Sequence, residues 1–406
     1  MPKCRVCESS YEPFVDFGPQ PIANGFRSPG DKSEEYFFPM RVGFCSECMM
    51  VQLVDQPDRE KMFHENYAFF SSTSKFMAIH FQAFAQTMMD NHMKGKKDPF
   101  YVEVGSNDGI MIRNYKAAGI RHLGVEPSAN VAQVAKDAGI NTVSEFFDET
   151  LAQKIVKEYG QADVIASANV MCHIPYLHSV AKGIKILLKN GGVFAFEDPY
   201  LADIVEKTSY DQIYDEHVFF FSAHSVGRLF AMHGLELVRV DAQDVHGGSM
   251  RYTIAHAGSV PKHASVEAQL KKEKDLGIPS AATYEKVRKN VERSRAELVA
   301  LLKKLKAEGK RVVGYGATSK SATVANYCGI GPDLVEFISD TTPIKQGKVT
   351  PGMRIPVKPY DAFAQSYPDY ALLFAWNHAK EIMAKESGFM KAGGKWIVYV
   401  PEVRVI

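Results

Sequence analysis

The sequence predicts an α/β protein in three parts: a small N-terminal zinc-binding module, a central Rossmann-like domain, and a C-terminal Rossmann-like α/β domain. Three observations carry this expectation. Two Cys-x-x-Cys pairs stand within the first fifty residues, strands alternate with helices from Phe100 onward, and the alternation restarts at Arg311 after a long charged helix. A chain of 406 residues exceeds what one hydrophobic core supports. The expected divisions fall at 1–65, 66–277 and 278–406. Charge is balanced, 48 basic residues against 47 acidic ones, so there is no global field to draw in nucleic acid or an anionic membrane. No apolar run approaches a membrane span, and no charged-then-apolar leader opens the chain. A cytoplasmic protein handling a small molecule is expected, and a monomer, since no long apolar interface stands out.

Cys4-Arg-Val-Cys7 and Cys45-Ser-Glu-Cys48 are knuckles whose spacing lets two thiolates each converge on one tetrahedral Zn²⁺. A disulfide framework would need an oxidising compartment. Four thiolates leave no open coordination position, so the metal is structural and the segment depends on it to fold. Cys172 and Cys328 read as isolated, reduced core residues.

Tyr101–Gly105 reads as the first strand of the central sheet, His122–Glu126 as the second, and Thr142–Glu145 as a short third. Ala162–Ala166 and Gly192–Glu197 supply the fourth and fifth. Ser222 is placed to cap a helix running to about Met232. Two strands then follow back to back, Leu235–Val240 and Met250–Ala255. A doubly wound sheet that finishes in a hairpin is the layout of class I methyltransferases, whereas dinucleotide folds continue with parallel units. The long helix spans Ala281 to Glu308, with Val287, Val291, Leu298, Leu301, Leu302 and Leu305 near one stripe. Arg311–Gly314, Leu334–Ser339, Tyr370–Phe374 and Trp396–Val400 are the strands of the last unit.

The first strand ends in Glu103-Val-Gly105-Ser-Asn107-Asp108-Gly109. Glycines there permit a tight turn and close approach of a ligand to backbone N–H groups. The loop lacks the full phosphate fingerprint, and Glu103 and Asp108 are a poor seat for pyrophosphate. They suit a cationic ligand such as S-adenosylmethionine. Glu126, ending the second strand, can accept from both ribose hydroxyls. Turn chemistry alone is the rival reading for this set.

Tyr210-Asp-Gln-Ile-Tyr214-Asp-Glu216-His217 follows the fifth strand, on the side where open α/β sheets bind ligands. His217 is a candidate general base there, with a satisfied structural histidine as the rival reading. His173, after the fourth strand, borders the same crevice. His246, between the hairpin strands, is a further lining group or a turn residue. Tyr67 precedes the sheet and is either a lid or an aromatic contact between modules. In the C-terminal unit Gly316-Ala-Thr318-Ser319-Lys320-Ser321 places hydroxyls, amides and a lysine at a helix start, which suits a diphosphate. Asp340 ends the next strand, within reach of a sugar hydroxyl or a base. Trp376 is placed to stack on a pyrimidine and Asn377 to bond to it, the rival being a Trp376 buried in the core.

Assembled, the motifs resemble those of the sugar C-methyltransferases of bacterial deoxysugar pathways, of the kind that builds the branched nitrosugar of tetrocarcin-type antibiotics. The likeness runs end to end. It rests on the two knuckles, Met62-Phe-His-Glu65, Ser106-Asn-Asp-Gly-Ile-Met111, Cys172-His-Ile-Pro175, Phe196-Glu-Asp-Pro-Tyr200, Ile213-Tyr-Asp-Glu-His217, Val313–Thr318 and Phe374-Ala-Trp-Asn-His378. The resemblance implies a class I S-adenosylmethionine domain and methyl transfer to carbon 3 of a dTDP-linked 4-keto-deoxysugar. In that pattern His217 is the base, Tyr214 and Glu216 position it or the sugar, and His173 and Tyr67 polarise the keto oxygen. Phe146 and Asn169 join the cofactor set. Ser106 stands where the close pattern has cysteine; both are small, so the loop is unaffected. Methylation of oxygen or nitrogen in another small molecule is the alternative for the same fold.

Overall fold

The structure, a computed structural model, describes residues 1–58, 71 and 75–406. Tyr67 and the Met62–Glu65 motif lie outside the described residues. Three sheets organise the rest. In the first, Glu12–Pro21, Phe37–Phe44 and Val51–Leu53 pair antiparallel, and the distant segment Phe219–Phe220 adds a fourth strand beside Val51. This sheet has no core of its own. Phe14 and Phe44 pack on Tyr284 of the long helix, with ring centroids 4.9 and 4.4 Å apart, and their cluster runs on into the central domain.

The central sheet has seven strands, in the order Leu235–Gln243, Ser249–His256, Leu188–Pro199, Ala162–Ala168, Phe100–Val104, Arg121–Val125, Thr142–Val143. Five run parallel, and the two nearest one edge form the expected hairpin, whose inner strand Ser249–His256 pairs antiparallel with Leu188–Pro199. Phe100–Val104 is buried along its whole length, as a strand with helices on both faces must be. The strand order reverses there, so the carboxyl ends of Phe100–Val104 and Ala162–Ala168 open onto the crevice where such sheets take ligands. Ser222 caps the helix Ala223–Ala231 through a reciprocal capping box with Ser225.

Helix Ala281–Ala307 buries Val287, Val291, Leu298, Leu302 and Leu305 against the other modules, while Leu301 is half-buried at the stripe's rim. The third sheet runs Val357–Lys358, Ile338–Ser339, Val312–Tyr315, Tyr370–Leu373, Lys395–Val398, all parallel, with Arg404–Val405 antiparallel at its edge. The expected strand Leu334–Ser339 is shorter than its apolar run. Leu334 and Val335 fold into a turn on Gly331, and only Ile338–Ser339 pairs. Both residues are buried, and burial in a turn leaves the same apolar signature as burial in a strand.

No helix among the described residues is long and apolar enough to cross a membrane. Glu273 joins helix Ala264–Asp275 to the start of Ala223–Ala231. Fully buried, it accepts from the Tyr200 hydroxyl at 2.8 Å, the Ala223 and His224 amides at 2.7 and 3.1 Å, and His224 Nδ1 at 2.6 Å. Glu273→Ala would strand those donors in the core at a cost of about 3 kcal/mol. Urea unfolding should show that loss, with partial recovery in Glu273→Gln; a midpoint unchanged in both variants would refute the assignment.

Candidate active site

The four N-terminal thiols converge as the knuckles require. Cys4 Sγ lies 3.4 Å from Cys48 Sγ, Cys7 Sγ lies 3.4 Å from Cys45 Sγ, and all four sulfurs are within 4.8 Å of one another. Ligands about 2.3 Å from one tetrahedral Zn²⁺ stand roughly 3.8 Å apart, so the set fits that ion. Cys4 also accepts from the Gln52 side chain at 3.0 Å and the Val6 amide at 3.4 Å, the outer hydrogen bonds that orient a ligating thiolate. Cys172 and Cys328 are free and buried, as expected.

A cavity of about 400 Å³ opens where all three modules meet. Its first wall is the carboxyl end of the central sheet: Gly105, Asn107, Glu126, Phe146 and Asn169 all line it. Glu126 accepts from the Asn107 amide at 3.0 Å and the Ser128 amide at 2.8 Å, which fixes its carboxylate at the strand end. Gly105 has φ +71° and passes so close to Val170 that a Cβ would lie 2.3 Å from its methyl carbon. Only glycine fits there.

Asn107, Asn169 and His246 hold left-handed backbone, φ 48°, 56° and 54°, and all three line the cavity. Asparagine and histidine are among the non-glycine residues that take that conformation most readily, so the wall turns here at little strain. Burial pushes the Glu126 carboxyl up despite its two amide donors. It pushes Glu103 further up, with the charges of Glu126 and Asp108 adding to the effect. A desolvated acidic group of this kind is relieved by a cation, so the wall suits a ligand that carries ammonium and sulfonium. Glu103, which accepts from Tyr101 Oη at 3.2 Å, and Asp108 are buried behind the loop and do not line the cavity.

The second wall carries Tyr214, Glu216, His217, His173 and His246. His217 Nδ1 lies 2.8 Å from the Gln212 carbonyl and Nε2 lies 2.8 Å from Tyr214 Oη. A carbonyl only accepts, so Nδ1 carries the proton and Nε2 presents a lone pair. Burial holds the imidazole well below its usual pKa, with His173 beside it lowering it further. The His173 ring stacks at 5.2 Å and is itself brought down to about 4 by burial. His246 Nε2 accepts from the Asn169 carboxamide nitrogen at 3.3 Å, and burial takes the imidazole to about 3.

The third wall is the start of helix Ser319–Cys328, where Thr318, Ser319 and Lys320 line the cavity with Asn377. Lys320 donates to the His246 carbonyl at 3.4 Å, and burial lowers its ammonium while Asp211 opposes the shift. Four expected groups sit behind this wall. Ser321 donates to the Thr318 carbonyl at 2.6 Å in the helix cap. Gly316 abuts Ala375. Asp340 accepts from the Ala317 and Thr342 amides, each at 2.7 Å. Trp376 gives its N–H to Asp211 at 2.6 Å and covers Gly247. Asn24, Gln212, Tyr176 and His378 also line the cavity without having been foreseen. Of these, Gln212 and His378 stand within motifs that the sequence singled out and Tyr176 adjoins one, while Asn24 belongs to none.

Three family models match in order along the chain: a zinc binding domain over 4–63, a methyltransferase domain over 75–240, and a C-methyltransferase C-terminal domain over 244–401. The C-methyltransferase NovU of Streptomyces niveus is 36% identical over 409 residues, covering 100% of this chain and 96% of that protein. A ubiquinone biosynthesis O-methyltransferase of Escherichia coli O7:K1 is 30% identical over 102 residues, covering 24% of this chain and 40% of that protein. Among solved structures, the plantazolicin methyltransferase BpumL in complex with SAH aligns at TM-score 0.35 and 12% identity, covering 45% of this chain and 84% of that one. The CcbJ methyltransferase from Streptomyces caelestis aligns at TM-score 0.34 and 12% identity, covering 44% and 90%.

One zinc ion per chain is expected from metal analysis of the purified protein, falling to near zero in Cys45→Ser. Because the zinc-held sheet shares its core with the long helix, that variant should also lose thermal stability. Full zinc content in Cys45→Ser would overturn the ligand set.

Proposed function

We propose, for a chain that belongs to the C-methyltransferase family, that the methyl acceptor is carbon 3 of a dTDP-linked 4-keto-deoxysugar. The enzyme is S-adenosylmethionine-dependent, and the bound cofactor supplies an electrophilic methyl group. The observation that carries the reading is the buried His217 imidazole on the cavity wall, its Nδ1 held by the Gln212 carbonyl so that Nε2, on Tyr214 Oη, is the nitrogen with the lone pair. A carbon acid needs such a base. A C-3 proton is acidic because the adjacent C-4 carbonyl takes up the electron pair as an enolate. Nε2 accepts that proton, so His217 becomes an imidazolium, and the C-3 carbanion would take the methyl group supplied by the cofactor beside Glu126 and Asn169, whose sulfur would keep the electron pair of the broken methyl–sulfur bond.

Substrate entry moves the Tyr214 hydroxyl off Nε2, and the phenol then donates toward the developing oxyanion. Neutral His173 is the second candidate donor. Asn169 and Glu126 hold the cofactor side of the cavity and Thr318, Ser319 and Lys320 the diphosphate side. Asp340 and Trp376 support that side from behind through the bonds already described.

Incubation with a dTDP-4-keto-deoxysugar in D₂O, with and without S-adenosylmethionine, tests the reading. Deuterium uptake at C-3 and one added methyl at that carbon are expected. Neither event, in protein that binds S-adenosylmethionine, would remove the sugar carbon as target and leave oxygen or nitrogen methylation. His217→Asn should lower kcat about 10³-fold and His173→Asn about 10-fold; the reverse order would reassign the base. The pH profile has a definite sign. Burial disfavours the protonated imidazole, so His217 stays a competent base below pH 6.5. The acid limb of kcat/KM should therefore lie lower than an ordinary histidine would set it, with activity lost as pH falls through it.

A further inference from the structure

The loop after Glu12–Pro21 belongs to the zinc-held sheet, yet it ends inside the cavity. Asn24 sits at its tip, in a turn closed by the Gly25 amide on the Ile22 carbonyl at 2.9 Å. Its carboxamide nitrogen donates to Glu216 Oε1 at 2.8 Å, and its carboxamide oxygen accepts from Ser319 Oγ at 3.0 Å. The partners fix the amide's orientation, because a carboxylate accepts and cannot donate. The preceding residue repeats the contact: the Ala23 amide donates to Asp215 Oδ1 at 3.1 Å. The loop is also tied down on its far side. Arg27 pairs with Val349 through both backbone groups, at 3.2 and 2.8 Å, and Glu35 accepts from the Gly352 amide at 2.8 Å.

From this geometry we propose that Asn24 is a positioning residue of the reaction, a clamp by which the zinc-held module sets Glu216 against the diphosphate-side loop at Ser319. The inference rests on the proposed sugar-nucleotide substrate for its kinetic consequences but not for the clamp itself. A carboxamide suits the role because it presents a donor and an acceptor from one rigid plane. Alanine supplies neither. Aspartate supplies two acceptors at high pH and sets a further carboxylate against Glu216, which Asp215 and Lys345 also face; the acids' like charge raises its pKa, Lys345 opposing, so mild acidification protonates it. Once protonated, that aspartate again offers one donor and one acceptor.

The test compares Asn24→Ala and Asn24→Asp in the full-length zinc-loaded enzyme. In Asn24→Ala, KM for the dTDP-4-keto-deoxysugar should rise about 10-fold while KM for S-adenosylmethionine stays within about twofold. Asn24→Asp should be worse than Asn24→Ala at pH 8, and should recover toward wild type, measured at the same pH, as the pH falls to roughly 5.5. Amide hydrogen exchange in Asn24→Ala should quicken over 213–217 and 317–321 and stay unchanged over 100–104. Equal changes in both KM values, or no acid recovery of the aspartate variant, would overturn the kinetic role. Exchange unchanged at both loops would overturn the clamp. A wild type that turns over no sugar nucleotide would sink the substrate reading alone, because the exchange measurement uses no substrate.

Discussion

One short segment, Tyr210 to Phe220, is held simultaneously by every module, and the geometry of the cavity depends on that restraint. Asp211 accepts from Trp376 and Tyr399 of the C-terminal domain, at 2.6 and 2.7 Å. The Ile213 carbonyl accepts from Thr323 at 2.7 Å, on the helix that carries Lys320. Asp215 and Glu216 accept from the zinc-held loop. The Val218 amide donates to the Cys172 carbonyl at 2.8 Å, its carbonyl accepts from Leu53, also at 2.8 Å, and Phe219–Phe220 is a strand of the first sheet. His217 lies in the middle of these bonds. A base oriented to a fraction of an ångström needs restraint on either side of it along the chain, and here the restraint comes from three directions.

The same crowding explains the electrostatics. Packing the modules together removes water from Glu103, Glu126, Asp211 and Asp215, and burial raises each carboxyl. It lowers His173, His217, His246 and Lys320 by the same cause acting on the opposite charge type. Glu103 and Glu126 stand at the end of the central sheet, whereas Asp211 and Asp215 share the Tyr210–Phe220 segment with His217. Lys320 stands with the hydroxyls of Thr318 and Ser319 on the third wall. Such a division concentrates binding energy at positions that water would otherwise screen.

The sequence made the architecture legible because the knuckles, the strand–helix alternation and the closing hairpin are each local patterns. Ser222 and the long helix announced themselves by capping chemistry and by period. The strand at Leu334–Ser339 was overextended because an apolar run is silent about whether it pairs. Much of the cavity was legible too: Gly105, Asn107, Glu126, His173, Tyr214, Glu216, His217, His246 and Lys320 all meet in it. What sequence reasoning placed there and the fold withdrew are side chains that hold the wall from behind, among them Glu103, Asp340 and Trp376. A residue one shell away from a ligand occupies the same kind of motif as one that touches it, and spacing alone does not separate them. Asn24 was invisible for a different reason. It stands 192 positions from Glu216, in a module whose metal ligands drew all the notice, and its contact depends on tertiary packing alone.

That contact changes how the zinc ion should be understood. With four thiolates the metal has no open position, so it takes no part in bond making. The sheet it holds is nevertheless continuous in its core with the long helix and the central domain, and the loop leaving that sheet ends on Glu216. A core packed at crystal-like density transmits small displacements instead of absorbing them. Folding of the zinc-held module is thereby coupled to the spacing between Glu216 and Ser319, some of whose bonds would otherwise have to be made by flexible side chains at an entropic cost. The metal is structural by its coordination, and under the proposed clamp its sheet bears on the site through a loop that ends on the Asn24 carboxamide.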